Sequence, residues 1–185
     1  MIFRQIPNTL TAMRLFSAPL LAACLLYGHH ILAFVVFAFA GLSDLADGYL
    51  AKRYGLATSV GRYLDPAADK ALMLASFMAL TAIGSTPLWL MLLVIGRDAA
   101  IVCAIFLARL LGLPLRVEPL AIGKVCTAVQ VAYVALVLLF LALGMEEPRM
   151  VGAAALVVAA FTVASWLAYT GLWLKALAAR YRSVA

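Results

Sequence analysis

Charged residues are scarce in this 185-residue chain, at 12% of the total against about 25% in a typical soluble domain. Cysteine occurs three times and histidine twice. Cys24, Cys103 and Cys126 are isolated inside apolar runs and odd in number, which argues against a disulfide framework or a thiolate metal site and leaves them as small packing hydrophobes. His29 and His30 stand together in a short connection with nothing nearby to complete a site, so they read as solvated or interfacial groups. Little chain remains outside the apolar runs for a soluble domain. The first apolar run carries no convincing A-x-A cleavage site and contains Arg14 and Pro19, so it is expected to be a retained helix rather than a signal peptide.

What fills the chain is apolar: 67% hydrophobic residues and a mean hydropathy of +1.09. Soluble domains hold roughly 45 to 50%. A membrane-crossing helix needs about 20 mainly apolar residues, and six such runs fall at about 10–27, 31–51, 63–84, 87–109, 120–144 and 149–175. The expected fold is therefore all-α, a six-helix integral membrane bundle forming one domain over residues 1–185.

The net charge of +6 could point to nucleic acid, but its distribution along the expected helices points to a membrane instead. With the N-terminus inside, the inner segments hold Arg4, Lys52, Arg53, Arg62, Arg109, Arg116, Lys124, Lys175, Arg180 and Arg182. The outer connections "YGHH", "GSTP" and "MEEPR" offer Arg149 alone. This is the positive-inside pattern, and it predicts both termini on the cytoplasmic side, with the basic face against anionic headgroups.

The polar exception is "SDLADGYLAKRYGLATSVGRYLDPAADK", Ser43 to Lys70, set between two apolar runs. Asp44 and Asp47 are three apart on the second expected helix, and Asp65 and Asp69 are four apart on the third, so each pair shares a helix face at the inner end. Four carboxylates gathered near a membrane are unfavourable unless a cation sits among them. The donors are hard oxygens with no histidine or cysteine beside them, which selects magnesium, manganese or calcium over zinc or copper; magnesium characteristically binds a few carboxylates together with substrate phosphates. The alternative is a lattice of salt bridges to the neighbouring lysines and arginines without a metal.

The pattern Asp44-x2-Asp47-Gly48-x2-Ala51-x9-Gly61-x3-Asp65-x3-Asp69 resembles the signature of the CDP-alcohol phosphotransferases, membrane enzymes with six transmembrane helices. That resemblance implies transfer from a CDP-linked lipid to an alcohol with release of CMP. It implies that Asp44, Asp47 and Asp65 hold metal, that Asp69 is both ligand and general base, and that two Mg2+ (or Mn2+) ions are the cofactor. It also implies that Gly48, Lys52 and Thr58 contact the CDP-lipid while Gly61 gives the nucleotide room. Lys52 stands where the family usually has arginine, and a lysine meets phosphate as a point charge rather than a bidentate fork.

The resemblance extends to "IPNTLTAMRLFSAP" and "LDPAADK", similar to the branch that makes phosphatidylglycerophosphate or cardiolipin, which implies Asn8 near the diphosphate and Arg14 in the inner polar pocket as an acceptor-binding residue. Arg14 alone could instead snorkel to the interface. "IGRDAAIVCAIFLAR" and "GKVCTAVQV" resemble cardiolipin synthases of the mitochondrial type, with Arg97-Asp98 and Ile105 where phosphatidylglycerophosphate synthases tend to show Arg-Glu and a further arginine. Arg97 and Asp98 fall midway along an apolar span, where ionisable groups are functional by default. Either they form a structural pair, or Arg97 with Arg116 and Lys124 binds the acceptor's phosphate.

The expected partners are CDP-diacylglycerol, phosphatidylglycerol and a second copy of the chain, in a bacterial inner membrane with the site at its cytoplasmic face. Glycerol 3-phosphate is the alternative acceptor. Two other classes are weighed: membrane prenyltransferases, whose two acidic motifs lie far apart in sequence, and an ion transporter using the acidic cluster.

Overall fold

A computed structural model describes residues 6–54, 61–110 and 120–184; side chains are described for all of these except 6–12, 44–54, 61–67, 109, 176 and 179–184. These residues form six α-helices: α1 (Ile6–Leu26), α2 (His30–Tyr54), α3 (Gly61–Ala82), α4 (Leu88–Leu110), α5 (Ala121–Leu143) and α6 (Pro148–Val184). There is no strand among the described residues.

Three connections are built alike. Gly28, Gly84 and Gly144 have positive φ (78°, 78° and 64°), a backbone region that costs any residue with a Cβ. Each glycine stands just past a helix and carries the paired hydrogen bonds of a Schellman cap. At the end of α1, His29 N bonds Cys24 O (2.8 Å) and Gly28 N bonds Leu25 O (3.1 Å). Ser85 N to Leu80 O with Gly84 N to Thr81 O, and Met145 N to Phe140 O with Gly144 N to Leu141 O, repeat the motif. The caps end α1, α3 and α5 sharply, and within the first unit α1–α2 is a tight turn. Pro148, the first residue of α6, needs no amide donor there.

The chain packs as two compact units. In the first (residues 1–86 and 134–148), α1 lies against both α2 and α3. Its buried positions recur at helical spacing: Arg14, Ala18, Leu21 and Leu25 on α1, Ala33, Phe37 and Ala40 on α2, and Ala68, Leu72, Ser76 and Ala79 on α3. In the second unit (residues 87–133 and 149–185), the buried stripes are Leu90, Val94 and Arg97 on α4, Cys126, Gln130 and Tyr133 on α5, and Ala155, Val158, Thr162 and Ser165 on α6.

Leu88–Ala108, Ala121–Leu143 and Pro148–Lys175 are long and apolar enough to cross a membrane, yet at most 33% of the most apolar stretch of any one of them is buried in the protein. Large apolar side chains such as Phe16, Leu42, Val102 and Leu167 face outward. Hydrocarbon surroundings explain that distribution, because apolar side chains there need no protein cover. In α1 and α2 the described apolar stretches are shorter, Met13–Leu26 and His30–Ser43. The helix ends differ from the expected runs by a few residues, except that α6 continues well past the apolar span to Val184. Its extension, "ALAARYRSV", is rich in alanine and arginine, which favour helix in water as well as in lipid.

Candidate active site

The first unit holds an ion pair between helices α1 and α3. Arg14 is buried to 2% exposure on an otherwise apolar face, and its Nη1 donates to Asp69 Oδ1 at 3.1 Å. The Asp69 side chain remains 47% exposed. A guanidinium drawn inward to a carboxylate is the opposite of snorkelling, and it gives the acidic end of α3 a fixed positive neighbour. Because Arg14 follows Leu10 by one helical turn and precedes Ala18 by another, the rigid register of α1 sets where that cation stands.

Asp44, Asp47, Gly48 and Lys52 lie on α2, Gly61 and Asp65 on α3, and Asn8 on α1, all with side chains outside the described residues. Thr58 and Arg116 lie outside them altogether. Of the four expected ligands, then, Asp69 alone has a described side chain, and among described side chains no three His, Cys, Asp or Glu come together. What can be tested of the fit is the donor at position 69. It is a carboxylate, the hard oxygen donor type that magnesium or manganese takes, and it is half open to its surroundings with one oxygen paired to the buried Arg14.

The second unit has its own polar centre. Arg97 is 4% exposed on α4; Nη1 donates to Asp98 Oδ1 at 2.7 Å and Nη2 donates to Ser165 Oγ on α6 at 2.6 Å. Its guanidinium also lies over the Tyr169 ring, 5.6 Å from the centroid. Gly123 on α5 makes room for this group, since a Cβ there would stand 2.9 Å from Tyr169 Oη and 3.3 Å from Arg97 Nη2. Lys124, the next residue, is exposed. Deeper between α5 and α6, Gln130 Nε2 bonds Thr162 Oγ1 and Cys126 Sγ, each at 3.4 Å, and Thr162 donates to Val158 O at 2.7 Å. Small and polar residues thus join three largely apolar helices, as in membrane bundles generally.

Ser165, Tyr169 and Gly123 do not stand out in the sequence as site residues. Thr162, Ser165 and Tyr169 do recur at i, i+3 and i+7 on α6, a polar stripe on an apolar helix that could have marked this face.

The family model for CDP-alcohol phosphatidyltransferase matches residues 4–177. In Schizosaccharomyces pombe, a "Cardiolipin synthase (CMP-forming) / mitochondrial hydrolase fusion protein" is 42% identical over 109 residues, 59% of this chain and 18% of that protein. A "Probable cardiolipin synthase (CMP-forming)" of Drosophila melanogaster is 34% identical over 147 residues, 71% of this chain and 46% of the other. A "Probable phosphatidylglycerophosphate synthase" of Mycobacterium tuberculosis is 36% identical over 103 residues, 52% of this chain and 49% of the other. The chain spans about half or less of the length of these curated relatives. A match running through all six helices, with the aspartate pattern inside it, establishes that the chain belongs to the CDP-alcohol phosphatidyltransferase family.

Proposed function

We propose that this protein is a cardiolipin synthase that transfers the phosphatidyl group of CDP-diacylglycerol to a hydroxyl of phosphatidylglycerol and releases CMP. The acceptor oxygen forms a new bond to the lipid-side phosphorus as the phosphorus–oxygen bond to CMP breaks. The hydroxyl proton passes to the Asp69 carboxylate. The observation that carries the reading is the half-exposed Asp69 carboxylate held by buried Arg14, on a helix of the family's aspartate motif. Arg14 positions that carboxylate and, as a fixed cation, supports the negative charge of the diphosphate.

Asp44, Asp47, Asp65 and Asp69 would hold two magnesium or manganese ions. Such ions supply charge neutralisation for the diphosphate and the departing CMP. Asn8, Gly48, Lys52, Thr58 and Gly61 are assigned to the CDP-lipid, and Arg14, Arg97, Arg116 and Lys124 to the acceptor. The proposed topology is six crossings with both termini and the site at the cytoplasmic face of a bacterial inner membrane. It is supported by the basic residues of the inner segments. A homodimer is proposed from the family.

The acceptor is the finer choice. Arg97 has its charge matched by Asp98 at 2.7 Å, leaving little net charge for a small, doubly anionic acceptor, which favours phosphatidylglycerol. The similarity to the Mycobacterium tuberculosis protein favours glycerol 3-phosphate instead. Purified protein supplied with CDP-diacylglycerol, magnesium and each acceptor in turn decides between them. Cardiolipin from phosphatidylglycerol is expected; phosphatidylglycerophosphate from glycerol 3-phosphate, with no cardiolipin, would overturn the acceptor assignment and leave the reaction type intact.

A further inference from the structure

All three helices of the second unit meet at the Arg97 guanidinium, and they constrain it in different ways. Asp98 matches the charge. It is the next residue on α4, however, so it cannot fix the guanidinium relative to α5 or α6. That falls to α6, where Ser165 and Tyr169 are four apart and share a face. The Ser165 hydroxyl receives Nη2 at 2.6 Å, and the Tyr169 ring centroid lies 5.6 Å from the guanidinium carbon. Gly123 on α5 completes the fit from the third side. A Cβ there would stand 2.9 Å from Tyr169 Oη, 3.3 Å from Arg97 Nη2 and 3.4 Å from Tyr169 Cε2, so any larger residue would press on both partners at once.

Polar contacts between membrane helices ordinarily act as glue, and this unit has such a seam in Cys126, Gln130 and Thr162, which join α5 to α6 without any charge. The Arg97 group is of another kind. A seam needs no cation, and a buried arginine is costly in an apolar span. Here a hydroxyl, a ring face and a missing side chain, drawn from two other helices, all act on one guanidinium. An arginine held in advance gives up little rotamer freedom when an anion arrives, so holding it favours binding.

We propose that Gly123, Ser165 and Tyr169 are positioning residues for acceptor binding, acting through Arg97. The proposal rests on the reading that Arg97 meets the acceptor's phosphate, and it adds what keeps Arg97 in place. Ser165 is fully buried whereas the Asp98 side chain is 23% exposed, so the hydroxyl and the ring hold the guanidinium from its closed side and an anion approaches beside Asp98.

The test uses the full chain in mixed micelles, with CMP release measured against acceptor at saturating CDP-diacylglycerol and against CDP-diacylglycerol at saturating acceptor. The acceptor is whichever of phosphatidylglycerol and glycerol 3-phosphate the wild-type chain uses, and thermal unfolding of each variant is followed in parallel. Ser165→Ala should raise the acceptor KM about tenfold and leave the CDP-lipid KM unmoved, and Ser165→Thr, which keeps a hydroxyl, should recover most of the loss. Gly123→Ala should raise the acceptor KM severalfold in the wild-type chain and much less in a Tyr169→Phe background, where the atom at 2.9 Å is gone and the ring remains. Gln130→Leu, in the neutral seam, should change the unfolding temperature and not the acceptor KM. An equal rise in both KM values, or an acceptor KM that simply follows unfolding temperature across the set, would overturn the proposal. Arg97→Gln, or Arg97→Lys should loss of the charge disturb folding, separates it from the reading beneath. An unchanged acceptor KM there removes Arg97 from acceptor binding; a raised one, with Ser165→Ala and Gly123→Ala unaffected, overturns the positioning roles alone.

Discussion

Arg14 and Asp69 are 55 residues apart, and their contact gives the acidic motif a feature that spacing alone does not contain. Helical register brings Asp65 and Asp69 to one face of α3, but it says nothing of what approaches that face from α1. The buried guanidinium holds the half-exposed Asp69 carboxylate in one orientation. Asp69→Asn keeps the side chain's size and an oxygen to receive Arg14, yet removes the proposed base. Turnover is expected to fall by about 100 to 10,000-fold while CDP-lipid binding is largely retained. Some loss of magnesium affinity should accompany it, because the same carboxylate is an assigned ligand. Single-turnover rates alongside a CDP-lipid binding isotherm check this, and near-normal turnover in the variant would remove Asp69 from the role of base.

At the scale of helices, most of what the structure contains was legible beforehand, and for definite reasons. The apolar runs are long, and they are broken by short polar connections with glycine at 28, 84 and 144, each of which turns out to cap a helix. Two features escaped. The last apolar run ends at 175 while α6 continues to Val184, because hydropathy marks where a helix leaves the membrane and not where it stops. The Arg97 cradle was half visible: Arg97-Asp98 stands out as a charge in an apolar span, whereas Ser165 and Tyr169 are ordinary polar residues until α6 is packed 68 and more residues later in the chain. Gly123 is likewise unremarkable until a neighbour occupies the space its missing Cβ leaves. The alternation of charge between connections carries a prediction at this scale. In a cysteine-free background, Thr58→Cys and Arg116→Cys should react only with impermeant reagents applied on the cytoplasmic side, and Glu146→Cys only from the opposite side. Labelling of positions 58 and 146 from the same side would contradict the six-crossing topology.

For the molecule as a whole, family membership and the polar chemistry point in one direction. Among the described residues, large apolar side chains face outward, while the buried arginines sit in two places: an Arg–Asp pair in one unit and an Arg–Asp–Ser–Tyr group in the other. Such groups are costly in hydrocarbon and are kept where they bind or react. The competing account of an acidic cluster in an apolar chain is ion passage, which needs the same carboxylates and no bond rearrangement. The measurement that separates the two most directly is release of CMP from CDP-diacylglycerol by the purified protein. The expected result is CMP formed in step with cardiolipin, requiring both magnesium and phosphatidylglycerol and abolished by chelation. No CMP with either acceptor at any magnesium concentration, together with ion flux through the protein in sealed vesicles, would contradict it.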